Sequence, residues 1–350
     1  MSAGQLLKQA NQLKRAGRLD EAIDLYYQAI DINPNFAWTY YELGDALNKN
    51  SQHDEAAIAY QRAIDTNQKS VCFSDILEEL LHRQMQKQVG SEKKPLIHKT
   101  PYCYRYLDLI KSVLLDEIYG SEVSIHYTKG HRAGKKATPS EIESGSYWPS
   151  RAHTMIGRKR LDNIQYCVED VIDKKIDGDL IETGVWRGGA TIFMKALLEI
   201  YNIKDKVVYV ADSFEGLPPP DPQKYPVDSG DKHHKVDYLK ASLDEVKANF
   251  SKYNLLDDRV KFVKGFFENS LVDLKIDKIS VLRLDGDMYS STIQVLSCLY
   301  DKVAIGGYII IDDYALHGCK AAVDDFRKDK KIKEQMITID WTGTYWQKTS

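Results

Sequence analysis

Apolar positions are spaced in two different ways along this chain. Over roughly the first ninety residues they recur at three- and four-residue intervals, the period of a helix face. From Asp179 onward, short apolar runs alternate with stretches of helical period. The runs are GDLIETG, VVYVAD, VKFVKG, ISVLRLD and GYIIIDD; the periodic stretches are ATIFMKALLEIYN, SLDEVKANFSKY, TIQVLSCLYDKV and AAVDDFRKD. Such alternation predicts an α/β domain with a parallel sheet covered on both faces. The end of the chain departs from it: QMITIDWTGTYWQK has only Thr-Gly between its two β-rich runs, which predicts an antiparallel pair at the sheet edge. Upstream, RYLDLIKSVLLDEIYG and RKRLDNIQYCVEDVIDKK predict helices. They flank HYTKGHRAGKKATPSEIESGSYWPSRAHT, weakly periodic and long enough to suggest a lid or a disordered loop.

The helical region repeats itself. Leu13 recurs as Leu47, Asp20-Glu21-Ala22 as Asp54-Glu55-Ala56, Tyr26 as Tyr60, Ala29-Ile30-Asp31 as Ala63-Ile64-Asp65 and Asn33 as Asn67, each 34 positions on. Small residues (Ala10, Ala22, Ala29, then Gly44, Ala56, Ala63) allow close helix approach, Leu13, Tyr26 and Ile30 fill the grooves, and Pro34 breaks the chain between units. This resembles the tetratricopeptide repeat, with units at 3–36 and 37–70. Two units fall short of the three usually needed for a self-standing array, so they lean on their own continuation or on another subunit. SDILEELLHRQMQKQV predicts a capping helix and GSEKKP a linker. The expected organisation is a small all-α repeat domain at 1–90, a linker at 91–96 and a larger domain at 97–350. The concave face of the repeats is a candidate site for a protein or peptide partner; the plainer reading is that they add stability.

Composition narrows the chemistry. In 350 residues, 48 basic side chains stand against 51 acidic ones, so no global field favours nucleic acid or an anionic membrane, and small-molecule chemistry is expected. The five cysteines (Cys72, Cys103, Cys167, Cys298, Cys319) have no metal-site or disulfide spacing and read as reduced thiols, which suggests the cytoplasm. No apolar run approaches the roughly 20 residues of a membrane span, and the N-terminal stretch is too polar for a signal peptide.

In open α/β sheets the ligand crevice lies beyond the carboxyl ends of the strands. The polar residues there are Glu182, Asp212, Asp285 and Asp312-Asp313. In ETGVWRGGA, Gly184 allows a tight turn, and Gly188 and Gly189 let backbone approach a ligand or open the helix. The spacing is not GxGxxG, so a pyrophosphate cradle is not indicated. Asp212 is placed to accept hydrogen bonds from a ribose diol, and a ribose without a pyrophosphate suggests S-adenosylmethionine. Taken alone, the turn equally reads as an ordinary strand–helix connection. If the strands ending at Asp285 and at Asp312-Asp313 are neighbours, three carboxylates converge, and without His or Cys they suit a hard divalent ion such as Mg²⁺. The alternatives are that the Asp pair caps the next helix, and that Asp287 pairs with Arg283 or faces solvent.

ETGVWRGGATIFMKA, ADSFEGLPPP, VLRLDGDMYSST, IIIDDYALHGCKAAVDDFR and WPSRAHTMIGRKRLDN together closely resemble the macrocin O-methyltransferase family, metal-dependent enzymes that methylate hydroxyls on sugars of natural products. The resemblance covers roughly residues 97–350. It implies a Rossmann-like class I methyltransferase fold, a seven-stranded sheet whose last strand is antiparallel, with Asp285, Asp312 and Asp313 as metal ligands. It also implies cofactor contacts from Thr154 and Met155 to the methionine or sulfonium. Gly184 and its neighbours, Glu182 among them, would hold the methionine part, Asp212 with Ser213 the ribose, and Gly265-Phe266-Phe267 the adenine, although the two phenylalanines equally read as core. Candidate proton acceptors are Asp285 or Asp287, and His233 or His234 on the loop after Asp212. His317 reads as local to the loop after the aspartates. The expected activity is methyl transfer from S-adenosylmethionine to a hydroxyl of a sugar or other vicinal diol on a small, glycosylated acceptor, with a homo-oligomer as a further expectation. Competing readings are a catechol-type O-methyltransferase, a nicotinamide-dependent oxidoreductase, and a repeat scaffold with an inert enzyme domain.

Overall fold

The computed structural model describes residues 2–66, 101–124 and 134–349. The expected capping helix and linker lie outside the described residues. The chain divides into two compact units, the second running from Arg105 onward apart from a short upstream piece.

The first unit contains two helical hairpins, α1 (Ala3–Arg15) with α2 (Leu19–Ile32) and α3 (Ala37–Lys49) with α4 (His53–Thr66). Ser2 and Gln5 close a capping box at the start of α1. The small repeat positions Ala10, Ala22, Ala29, Ala56 and Ala63 are all buried. Gly44 shows why size matters there, because a Cβ on it would lie 2.6 Å from the Tyr60 ring. Between the hairpins, Lys14 of α1 bridges to Glu42 and Asp45 of α3, the latter at 2.6 Å.

The second unit holds the sheet. After α5 (Pro101–Leu114), α6 (Pro139–Ser144) and α7 (Gly157–Asp173) come β1 (Asp179–Thr183), α8 (Gly189–Ile200), β2 (Val208–Asp212), α9 (Leu243–Lys252), β3 (Val260–Lys264), α10 (Phe267–Ser270), β4 (Ile279–Leu284), α11 (Tyr289–Leu299), β5 (Val303–Ile311), α12 (His317–Asp329), β6 (Ile337–Thr338) and β7 (Thr344–Gln347). The strand order is β3-β2-β1-β4-β5-β7-β6. Strands β1 to β5 are parallel, while β7 runs antiparallel to both β5 and β6, as the Thr-Gly turn predicts. Ile181, Leu282, Ile309 and Trp346 pair in register across four strands and enter one core with Val295, Leu299, Val323 and Phe326 of α11 and α12.

Two local expectations change. The helix expected through Gly120 ends at Leu114, where Asp116 takes a left-handed backbone (φ 58°) and the Leu114 carbonyl accepts the His153 amide at 2.8 Å. The stretch read as a long loop contains α6, begun by a Thr138–Glu141 capping box with Pro139 in the first turn and ended by left-handed Gly145. Residues 126–133 of that stretch lie outside the described residues.

Candidate active site

The parallel strands end together, and the hydrogen-bond ladder continues past each end. Gly184 donates to the Ala211 carbonyl (2.9 Å), Asp285 to Thr183 (2.8 Å), Asp312 to Leu284 (2.9 Å) and Gly265 to Asp212 (2.9 Å). Beyond these ends opens a cavity of about 320 Å³. Thr154, Met155, Glu182, Gly184, Asp212, Ser213, His233, Phe266, Asp285, Asp287, Asp312 and Asp313 all line it, with Phe267 beside them. Gly265 does not, and its amide donates to the Asp212 carbonyl. His234 and His317 are also absent from the lining, and His317 opens α12.

The glycines of ETGVWRGGA answer to the protein before any ligand. Gly184 has φ 83°, and a Cβ there would stand 1.6 Å from the Asp285 carbonyl oxygen. Gly188, also left-handed, is the N-cap of α8, and Gly189 is pressed on the His153 carbonyl, to which its amide donates at 2.9 Å. Neither Gly188 nor Gly189 lines the cavity; both serve to open the helix. Asp212 uses one oxygen for the Val185 amide (2.8 Å) and the other for the Phe214 amide (2.7 Å), which aims it into the cavity with Ser213 alongside.

Arg283 organises the carboxylates. Fully buried on β4, it ion-pairs with Glu182, Asp285 (3.1 Å) and Asp312, and not with Asp287. Asp312 is also paired with Arg160 of α7. Asp287 has a left-handed backbone (φ 55°) and its amide donates to Asp313 at 3.2 Å. Nor do the aspartates cap α12: its N-cap is Leu316, with no side-chain hydrogen bond. Because β4 and β5 are neighbours, Asp285, Asp312 and Asp313 converge, with one carboxylate oxygen from each lying within 4.8 Å of the others.

Burial, then the charge of Asp312, pushes Asp285 well above the usual carboxylate range; burial and the charges of Asp287 and Asp285 do the same to Asp313. Burial raises Asp287 to about 6 and Glu182 to about 7. Oε2 of Glu182 is buried without a hydrogen-bond partner. These five carboxylates thus line the cavity while Arg283 and Arg160 pair with only three of them, Glu182, Asp285 and Asp312, an excess of acidic groups on hard oxygen donors. That donor set fits a divalent cation.

The loop after β2 carries His233, a candidate from the sequence, together with two aspartates that pattern reading missed. His233 is held through Nδ1 by Asp231 at 2.7 Å. Burial opposes its protonation, but the Asp287 charge and the Asp231 hydrogen bond raise its pKa overall. The loop is fastened by Asp228, 3% exposed, whose oxygens accept the amides of Tyr289 (2.7 Å) and Ser290 (2.9 Å), the first residues of α11. The signal available for Arg283 was a charge inside an otherwise apolar strand, which must find partners. Asp228 and Asp231 sit among many loop aspartates and carried none.

Comparison with known proteins agrees with this architecture. Residues 103–348 match the family described as macrocin-O-methyltransferase (TylF), and residues 10–51 and 39–70 match tetratricopeptide-repeat families. Demethyldecarbamoylnovobiocin O-methyltransferase of Streptomyces niveus is 45% identical over 249 residues, covering 70% of this chain and 93% of that protein. The 8-demethyl-8-(2,3-dimethoxy-alpha-L-rhamnosyl)-tetracenomycin-C 4'-O-methyltransferase of Streptomyces olivaceus is 44% identical over 246 residues, covering 70% and 93%. The solved structure of the O-methyltransferase NovP superposes with a TM-score of 0.64 at 42% identity, covering 71% of this chain and all of that one (100%). The chain therefore belongs to the macrocin-O-methyltransferase family and is an O-methyltransferase carrying N-terminal tetratricopeptide repeats.

Proposed function

We propose that this enzyme transfers the methyl group of S-adenosylmethionine to a hydroxyl of a vicinal diol, on the sugar of a small glycosylated natural product, with Mg²⁺ held by Asp285, Asp312 and Asp313. The observation that carries the metal part is the meeting of those three carboxylates at the cavity, over-supplied with negative charge. The acceptor class is supported by the relatives, one of which is named for an acceptor bearing a rhamnosyl sugar.

When bound, Mg²⁺ supplies positive charge that lowers the pKa of a coordinated hydroxyl, and S-adenosylmethionine supplies a methyl on sulfonium for in-line displacement. The residues of the chain do the rest. Asp212 and Ser213 receive the ribose hydroxyls, Thr154, Met155, Glu182 and the turn at Gly184 enclose the methionine part, and Phe266 faces the adenine. Arg283 pins Asp285 as a ligand. His233, its Nδ1 proton directed to Asp231, keeps Nε2 to accept the hydroxyl proton, with Asp287 beside it as the charged partner. The repeats form a separate module for a peptide partner.

The test is a chelator-stripped enzyme assayed on a panel of glycosylated small molecules bearing vicinal hydroxyls. Methyl transfer should disappear, S-adenosylmethionine affinity by calorimetry should persist, and added Mg²⁺ should restore turnover. Asp313→Asn should behave like the stripped enzyme. Full-rate methylation after chelation would remove the metal from the reaction.

A further inference from the structure

Arg160 lies in α7, 4% exposed, and each of its donors reaches a different part of the chain. Nη1 pairs with Asp312, Nε with Asp340 at 2.8 Å, and Nη2 with the Ser144 carbonyl at 3.4 Å. The side chain of Asp340 is itself 1% exposed, and its other oxygen accepts the amides of Thr342 (3.0 Å) and Gly343 (2.7 Å), so the turn between β6 and β7 folds around it. That turn is pressed on Arg160: a Cβ at Gly343 would lie 3.1 Å from Arg160 Cδ. From the same turn, the Trp341 indole N–H donates to the Ser144 carbonyl at 2.9 Å. Gly145, Trp341 and Thr342 line the cavity, and so does Asp312.

A buried guanidinium is costly unless its donors are satisfied, and here they are satisfied by Asp312, which lines the cavity, and by Asp340 and Ser144, whose chain neighbours Trp341 and Gly145 line it. The planar fork of arginine makes several directed bonds at once, which the point charge of lysine cannot copy. We propose that Arg160 is a positioning residue that couples the metal carboxylates to the cavity wall formed by the turn between β6 and β7: it holds Asp312 in its ligating orientation and, through Asp340 and Ser144, sets Trp341 and Thr342 against the same cluster. The inference rests on the metal reading given above. Asp212 shares no hydrogen bond with Arg160, Asp340 or Ser144, so the ribose end of the cofactor site should feel the coupling least.

The test uses the full chain as wild type, Arg160→Lys and Asp340→Asn, with Mn²⁺ alone titrated calorimetrically and S-adenosylmethionine titrated separately. Arg160→Lys should weaken Mn²⁺ by about tenfold or more, the usual scale for groups that orient a metal ligand, and weaken S-adenosylmethionine far less. In wild type, titrated Mg²⁺ should change the fluorescence of Trp341, identified by its loss in Trp341→Phe. Asp340→Asn should bind metal but lose that response. Wild type that binds no metal would sink the metal reading and the coupling together. Wild type that binds metal while a folded Arg160→Lys binds it equally well would overturn the coupling alone. Should Arg160→Lys fail to fold by circular dichroism, an unaltered Trp341 response in Asp340→Asn overturns it instead.

Discussion

Gly184 and Asp285 meet backbone to backbone: a Cβ on the glycine would stand 1.6 Å from the aspartate's carbonyl oxygen. The turn leaving β1 and the turn leaving β4 are therefore fitted to one another, and the side proposed to hold the cofactor touches the side proposed to hold the metal.

Gly184→Ala should accordingly do more than strain one residue. The left-handed backbone alone costs about 1–2 kcal/mol for a residue with a Cβ, and the overlap forces Asp285 to move. A loss of about 2 kcal/mol or more in urea unfolding is expected, together with weakened Mn²⁺ binding. An alanine variant as stable as wild type would mean that the two turns have slack.

Asp212→Ala should weaken S-adenosylmethionine by about 2–3 kcal/mol, the range for hydrogen bonds to a charged group, read by calorimetry. It should also lower the melting temperature, since the Val185 and Phe214 amides lose their acceptor. Unchanged cofactor affinity would take Asp212 out of the site.

His153 gives a pH dependence with a definite sign. Burial, then the charges of Lys252 and Arg187, depresses its pKa to about 4, and its Nδ1 lies 2.6 Å from the Tyr253 hydroxyl. An unfolded chain takes up this proton near the ordinary value of about 6.5, so stability should fall as pH drops from there through about 4 and be flat above. Melting temperatures of wild type and His153→Gln should converge toward the acid end of that window. Parallel curves would assign the acid sensitivity to other groups.

If the repeats are a separate module, a fragment beginning near Lys94 should fold and bind S-adenosylmethionine as the full chain does. An insoluble or cofactor-blind fragment would show that the repeats complete the enzyme.

Much of this architecture could be read from pattern because its causes are local. Strands buried on both faces appear as unbroken apolar runs, the 34-residue offset exposes the repeats, and an acidic residue after an apolar run marks a strand end. All of the strand-end carboxylates line the cavity, and the Asp285–Asp312–Asp313 meeting needed only that β4 and β5 be neighbours. What was illegible depends on distant pairings. Asp287 looked like a partner for Arg283 because the two are close in sequence, yet a left-handed backbone at Asp287 turns it aside while Glu182 and Asp312 arrive from adjacent strands. Arg160 meets Asp340 from 180 residues away, which no periodicity announces. The short helix α6 was legible in principle, since its capping box with proline is a local signal, but a run rich in Gly, Ser and Lys obscured it.

The fastening of Asp228 has a consequence for how the domain opens. Helix α11 borrows its N-terminal cap from 61 residues upstream, because its own N-cap, Met288, offers no side-chain hydrogen bond. Its first turn is therefore complete only once the loop carrying His233 has docked, and undocking leaves two amides at the positive end of a helix without an acceptor. Loop and helix start form one cooperative unit in the hierarchy of local unfolding. In hydrogen–deuterium exchange, the Tyr289 and Ser290 amides should exchange in step with the loop rather than with the rest of α11, and Asp228→Asn should accelerate both together.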